Sequence, residues 1–342
     1  ENGATTVEFY ALSRAMFMSR PTGKPWRGRP SFVAISGVGT ARAHVRIESS
    51  AMLAASAPGS AEPIASVVPG GVLEVDLDPG DVLQLVTPLA TCLDDDARVT
   101  TNLCDPGPHY DLTGTHIVAN GAVQVIAGVD CSNVPFDRVA CDHLEESMTP
   151  LSTWSNTVVL SVPSSSAGGQ YMARVISGAD DNTVSFDPPL HEPALLKRGE
   201  SLELGANRAL WIKGNKRLAV GQYLIGANGA LIGDPSLSLV VPTEQYRQSY
   251  NFLTPSTYTQ NVVDVIALDT DAVTIDGNLV TNFAQVGTTR YRVATVPLAA
   301  AGAHEARGTL GSGFGIVVYG LGSYTSYMLP GGLALKPIYI GY

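Results

Sequence analysis

Charge is scarce in this chain of 342 residues: 21 Lys+Arg and 31 Asp+Glu make up only 15% of it, against roughly 25% in ordinary soluble domains. The formal net charge is −10. A phosphate backbone is bound by stripes of Lys and Arg that displace its counterions, so nucleic acid is excluded as a partner. The one basic cluster, residues 20–29, is broken by Pro21 and Pro25 and reads as an arm near the N-terminus. No apolar run reaches 18 residues, so membrane insertion of this segment is not expected. Catalytic signatures are missing as well. There is no Gly-x-Ser-x-Gly elbow, no Walker A loop and no His-Glu-x-x-His, and the stretch from Gly37 to Arg42 lacks the third glycine of a dinucleotide loop. A non-enzymatic protein without a cofactor is expected. No Asn-x-Ser/Thr sequon occurs, which favours a bacterial source.

Cysteine is rare, with four residues at 92, 104, 131 and 141. Their surroundings are Pro, Asp and Asn, without the Cys-x-x-Cys spacing of a zinc site. Three pairings are open. The nearest-neighbour one, Cys92–Cys104 with Cys131–Cys141, closes two short loops, each worth about 3 kcal/mol of chain entropy. An even cysteine count in such loops points to an oxidising compartment, hence to a secreted or cell-surface protein.

What is present is alternation. Stretches such as Val72-Leu73-Glu74-Val75-Asp76-Leu77 and Val273-Thr274-Ile275-Asp276 place apolar residues at every second position, between turns rich in the 35 Gly and 22 Pro. Period-two runs of about five residues separated by Asp-Pro-Gly or Asn-Gly are the pattern of half-buried strands. One short helix is expected, from Asp142 to Met148, with Asp142 as its cap. The fold class is all-β. The strand at Val123 to Gly128 has similar copies beginning at Leu218 and Gly315, so two or three consecutive β-sandwich-like modules are expected, with boundaries at 1–153, 154–245 and 246–342. The first carries the disulfide-stapled loops, at 86–111 and 129–153.

The block Gly114-Thr115-His116-Ile117, Val123-Gln124-Val125-Ile126-Ala127-Gly128, Cys131-Ser132-Asn133-Val134-Pro135, Cys141-Asp142-His143-Leu144-Glu145-Glu146, Pro150 and Trp154 resembles the IgGFc-binding domain family. So do Tyr171-Met172-Ala173-Arg174-Val175, Gly221-Gln222-Tyr223, Gly233-Asp234-Pro235-Ser236 and Pro242-Thr243-Glu244-Gln245-Tyr246. The departures are Ser147 in place of Gln and Ser155 in place of the Gly that often follows the Trp. The resemblance implies an extracellular recognition or adhesion module whose ligand is a protein or a glycan. Two other classes stand beside it: a hydrolase of extracellular glycans, which needs only two suitably spaced carboxylates, and a structural stalk assembled through strand edges.

Candidate binding residues are Asp142, His143, Glu145 and Trp154, because His143 stands among Asp142, Glu145 and Glu146. The segment from Cys131 to Trp154 is expected to be a structural plug, with Trp154 buried and His143 bonded to backbone of the second module, and with Leu144, Met148 and Leu151 as its apolar stripe. Candidate calcium ligands are Asp94, Asp95 and Asp96, with Asp180-Asp181-Asn182 and Asp269-Thr270-Asp271 as weaker versions of the same spacing. Asp and Asn also simply make turns. Gly233-Asp234-Pro235-Ser236 is expected to be a structural turn.

Overall fold

In the computed structural model, residues 6–60, 63–93, 102–164, 168–227, 232–309, 311 and 313–340 are described. They form strands joined by turns and three single-turn 3-10 segments, and no α-helix occurs among the described residues. The chain is all-β, as the alternation predicts. It divides into two compact units, residues 1–137 with 142–152, and residues 138–141 with 153–342.

The first unit holds two four-stranded antiparallel sheets. One runs in the order Val7–Tyr10, His116–Ala119, Ala43–Glu48, Val72–Leu77, and the other Asp142–Ser147, Val123–Ser132, Ser31–Gly37, Val82–Val86. Alternate side chains face inward on each: Val45 and Ile47 on one, Val33, Ile35, Val125 and Ala127 on the other, all fully buried. A small third sheet, Arg27–Arg29, Phe17–Ser19 and Leu103–Cys104, shelters a cluster of Met16, Met18, Ala90, Cys92 and Cys104. The Cys92–Cys104 bond closes a separation of 12 residues there, and Cys131 and Cys141 are also disulfide-bonded. No cysteine is free.

The helix expected from Asp142 to Met148 is a strand, Asp142–Ser147, paired antiparallel with Val123–Ser132. The cause is a degeneracy in spacing. Residues four apart share a face on a helix and on a strand alike, so Leu144 and Met148, 2% and 7% exposed, fit either. His143 and Glu145 decide the matter by pointing outward on both sides of buried Leu144. Gly128 makes the pairing possible: its register partner is Glu145, and a Cβ at this glycine would overlap the Leu144 carbonyl oxygen. Asp142 caps nothing. Its Oδ1 accepts the adjacent His143 N–H at 2.9 Å.

In the second unit a 15-residue strand, Leu210–Leu224, serves both layers of a seven-stranded sheet. Its first part pairs with Ser155–Leu160 and Asn182–Asp187, its later part with Tyr171–Ser177 and Ser236–Leu239. Between the two parts the chain bends around buried Asn182, whose amide donates to the Arg217 carbonyl and the Ser177 hydroxyl and whose Oδ1 accepts Lys216 N–H, each at 3.0 Å. Gly214 sits where a Cβ would meet that Oδ1 at 2.6 Å. One apolar core runs from Val158 to Val220 and a separate one from Tyr250 to Val318. The latter lies among the four-stranded sheet Ser249–Thr254, Gly302–Gly308, Val273–Ile275, Asn278–Leu279 and the five-stranded sheet Ala284–Gln285, Tyr291–Leu298, Gln260–Leu268, Gly315–Gly322, Thr325–Pro330. A third cluster joins Val159 and Leu224 of the seven-stranded sheet to Val262, Ile266, Val317 and Tyr319 of the five-stranded one.

Candidate functional site

The strand Asp142–Ser147 lies at the edge of its sheet, and its alternation sets the chemistry of its outer face. Phe32 stacks under the His143 ring, with centroids 5.8 Å apart and planes 14° from parallel. His143 Nδ1 lies 3.2 Å from the Asp130 carbonyl oxygen and Nε2 lies 3.4 Å from Glu145 Oε2. Both side chains stay about half exposed, 49% for His143 and 52% for Glu145. Partial burial raises the Asp142 carboxyl above the usual carboxylate range, opposed by its bond to the His143 N–H. Asp142, His143 and Glu145 are therefore brought together, on an immobilised ring with an open carboxylate beside it. An exposed pair of this kind adds little stability, so its chemistry is available for contact.

Trp154 is placed differently. It belongs to the second unit and is 3% exposed, with its carbonyl accepting Arg217 Nη1 at 2.7 Å. The expected bond from His143 to the second module is replaced by the bonds to Asp130 and Glu145, which lie on the same unit and the same strand pair. Leu144 and Met148 are buried, and Leu151 is half-buried at the turn Leu151–Thr153.

The calcium candidates Asp94, Asp95 and Asp96 lie outside the described residues. Asp180 accepts Arg198 N–H at 3.1 Å, Asp181 takes a left-handed φ of 55°, and Asn182 holds the bend described above. Asp269 is forked by Arg290 at 2.9 and 3.2 Å, which holds its carboxyl below the usual range. These side chains serve turns and an ion pair. Among the described residues no group of three or more His, Cys, Asp or Glu is arranged to share an ion. Gly233-Asp234-Pro235, expected to be a turn, is irregular backbone that leads into the strand Ser236–Leu239. Gly233 has φ 89° and donates to the Gly322 carbonyl, and the Ser236 and Ser326 hydroxyls lie 2.6 Å apart.

Two features escaped the sequence reading. One is a groove of about 780 Å³ in the first unit, lined by Arg42, residues 63–65, residues 73–78, Asp81, Val82 and Leu83. Its strand was legible, but that two strand edges leave a groove between them depends on pairing that no local pattern states. The other is Asp264, fully buried on Gln260–Leu268, whose carboxyl burial pushes up to about 7. A lone Asp in Val262-Val263-Asp264-Val265-Ile266 was the available signal.

A family model described as IgGFc binding protein matches residues 3–320, nearly the whole chain. No curated protein sequence matches. A solved anti-sigma factor domain-containing protein from Clostridium clariflavum aligns over 96% of this chain and 97% of its own, at 11% identity and a TM-score of 0.16, too low to carry an argument.

Proposed function

The chain belongs to the IgGFc binding protein family, and on that premise we propose that it is a non-enzymatic, extracellular recognition or adhesion module acting on a protein ligand. The observation that carries this reading is the outer face of Asp142–Ser147, where His143 and Glu145 stand half exposed on a strand whose partner contains disulfide-bonded Cys131. A side chain already held by Phe32 loses little freedom on binding, which is what makes a rigid hairpin an effective contact surface. Asp142 shapes that surface, and Trp154 acts from the interior, as an anchor for the chain that enters the second unit. Disulfides accord with a secreted or surface location. The same reading takes 1–153, 154–245 and 246–342 as modules, supported by the two separate cores of the second unit. Calcium, if it is used, falls to Asp94, Asp95 and Asp96.

The test is a surface-binding measurement with extracellular proteins and a glycan array as separate analytes. Saturable protein binding that is lost in His143→Ala/Glu145→Ala, with an unchanged melting temperature, is the expected outcome. Turnover of a glycan, or binding indifferent to both substitutions, would overturn the assignment.

A further inference from the structure

The groove of the first unit is bordered by two edge strands that pair with no second strand among the described residues, although the Val86 carbonyl accepts the Ala54 N–H at 2.9 Å. Val72–Leu77 ends one sheet, paired only with Ala43–Glu48, and Val82–Val86 ends the other, paired only with Ser31–Gly37. An edge strand pairs through alternate backbone groups on one side and leaves the rest pointing outward, a template for another strand.

The burial along these strands marks a place where cover is incomplete. On Ala43–Glu48 the inward residues Val45 and Ile47 are fully buried, whereas their neighbours on Val72–Leu77, Leu73 and Val75, are only half-buried. Val72 and Val82 are exposed by 46% and 66%. A strand edge that merely needed protection from association would carry charges over a closed core. Here charges flank an apolar strip still open to water.

The charges have one dominant sign. Glu74 and Asp76 share the outward face of Val72–Leu77, and Asp78 and Asp81 stand at the turn below. Arg42 forks Asp78 at 2.6 and 2.7 Å, His44 Nδ1 lies 2.8 Å from Asp76 Oδ1, and Asp81 Oδ2 accepts the Asp78 N–H at 2.9 Å. Arg46 is the register partner of Glu74, and its guanidinium reaches Glu48. All these cations stand at the turn or on the inner side of the edge strand. The outer side of Glu74 and Asp76 meets none among the described residues.

We propose that this edge receives an extended segment of a partner protein that carries Lys or Arg at alternate positions. Its backbone would pair with Val72–Leu77, its cations would face Glu74 and Asp76, and its intervening apolar residues would cover Leu73 and Val75. Strand addition draws affinity from main-chain bonds and selectivity from alternate side chains, and opposite charges directly across a strand pair stabilise it. The proposal rests on the recognition reading only in taking the partner to be a protein. It concerns an edge strand of the sheet that does not hold His143, so either can fail alone.

The probe is the hexapeptide Lys-Thr-Lys-Val-Lys-Thr, titrated into the whole chain and followed by backbone amide NMR shifts. The expected result is saturable shifts confined to residues 72–77 and 82–86, weakened by salt. They should be absent with Glu-Thr-Glu-Val-Glu-Thr, and absent with a version carrying Pro at both Thr positions and the Val position, which keeps the charge but removes the backbone donors of one strand edge. Glu74→Lys/Asp76→Lys should weaken binding by at least about tenfold, and the milder Glu74→Gln/Asp76→Asn should do so with unchanged circular dichroism. Equal binding of the Pro-containing peptide would overturn strand addition in favour of bulk charge attraction. Shifts elsewhere, full binding by both variants, or concentration-dependent self-association abolished by the same substitutions would also overturn it, the last by assigning the edge to a second copy of this chain.

Discussion

The Tyr319 hydroxyl donates to Asp264 Oδ1 at 3.3 Å in an interior that neither residue shares with water. Asp264 lies on the strand Gln260–Leu268 and Tyr319 on its neighbour Gly315–Gly322, two positions off register. From the other side Thr295 Oγ1 donates to the same carboxyl oxygen at 2.7 Å, and the tyrosine oxygen accepts the Ser164 N–H at 2.8 Å. Two hydroxyls thus donate to one carboxyl oxygen, an amide donates to the tyrosine oxygen beside it, and no ion pair to this carboxyl occurs among the described residues.

This arrangement predicts a pH dependence. Burial raises the Asp264 carboxyl to about 7, and the neighbouring hydroxyls of Ser161, Thr295 and Tyr319 oppose that shift without cancelling it. An unfolded Asp loses its proton near pH 4. Between about pH 4 and pH 7 the folded chain holds a proton that the unfolded chain has released, so this group's contribution to stability falls as pH rises through that window and is flat above it. The full change is on the order of 4 kcal/mol. Chemical denaturation of wild type and Asp264→Asn across this range should show the slope in the first and its loss in the second. Parallel slopes would show that Asp264 ionises normally.

Gly128 offers a steric test. Its missing Cβ leaves room for the Leu144 carbonyl, so Gly128→Ala forces apart the strands Val123–Ser132 and Asp142–Ser147. A loss of about 2 kcal/mol or more is expected, as for other overpacked sites. Gly205 is the control. It lies mid-strand in Ser201–Ala206, and a Cβ there would meet only Met172 Sδ at 3.4 Å. Gly205→Ala should be neutral or slightly stabilising. Similar melting temperatures for both variants would refute the close approach.

How much of this could be read beforehand depends on the range of the interaction. Val72–Leu77 and Val273–Ile275 were legible because alternation is local and period two is specific. The segment 142–148 misled because its apolar residues are spaced by four, which a helix and a strand satisfy equally. His143 and Glu145 were found through their acidic company, yet their shared outward face required knowing the strand. Asp264, the groove and the burial of Trp154 depend on which strands meet across long sequence separations. No window of residues encodes that.

Gln245 makes a third prediction. Its side chain is fully buried, its amide donates to the Thr153 carbonyl at 3.2 Å and the Lys336 carbonyl at 2.6 Å, and its Oε1 accepts Lys336 N–H at 2.9 Å. Its own backbone carbonyl separately accepts Ala334 N–H at 3.0 Å. Gln245→Ala should therefore release the Lys336 amide to hydrogen exchange while leaving Ala334 protected. Exchange that rises equally at both positions would mean that the whole segment detaches, and exchange unchanged at Lys336 would refute the bond.

Arg217 completes this pattern, because its guanidinium reaches the Trp154 carbonyl with one nitrogen and the Ile338 carbonyl with the other. Residues 153–154 and 336–338 are thereby tied to the same two side chains, Gln245 and Arg217. In mechanical terms the second unit is a closed link. A pull applied between these two stretches would load the clasp at Gln245 and Arg217 before any sheet beyond it is strained, so rupture of that clasp would set the first yield point of the unit under tension.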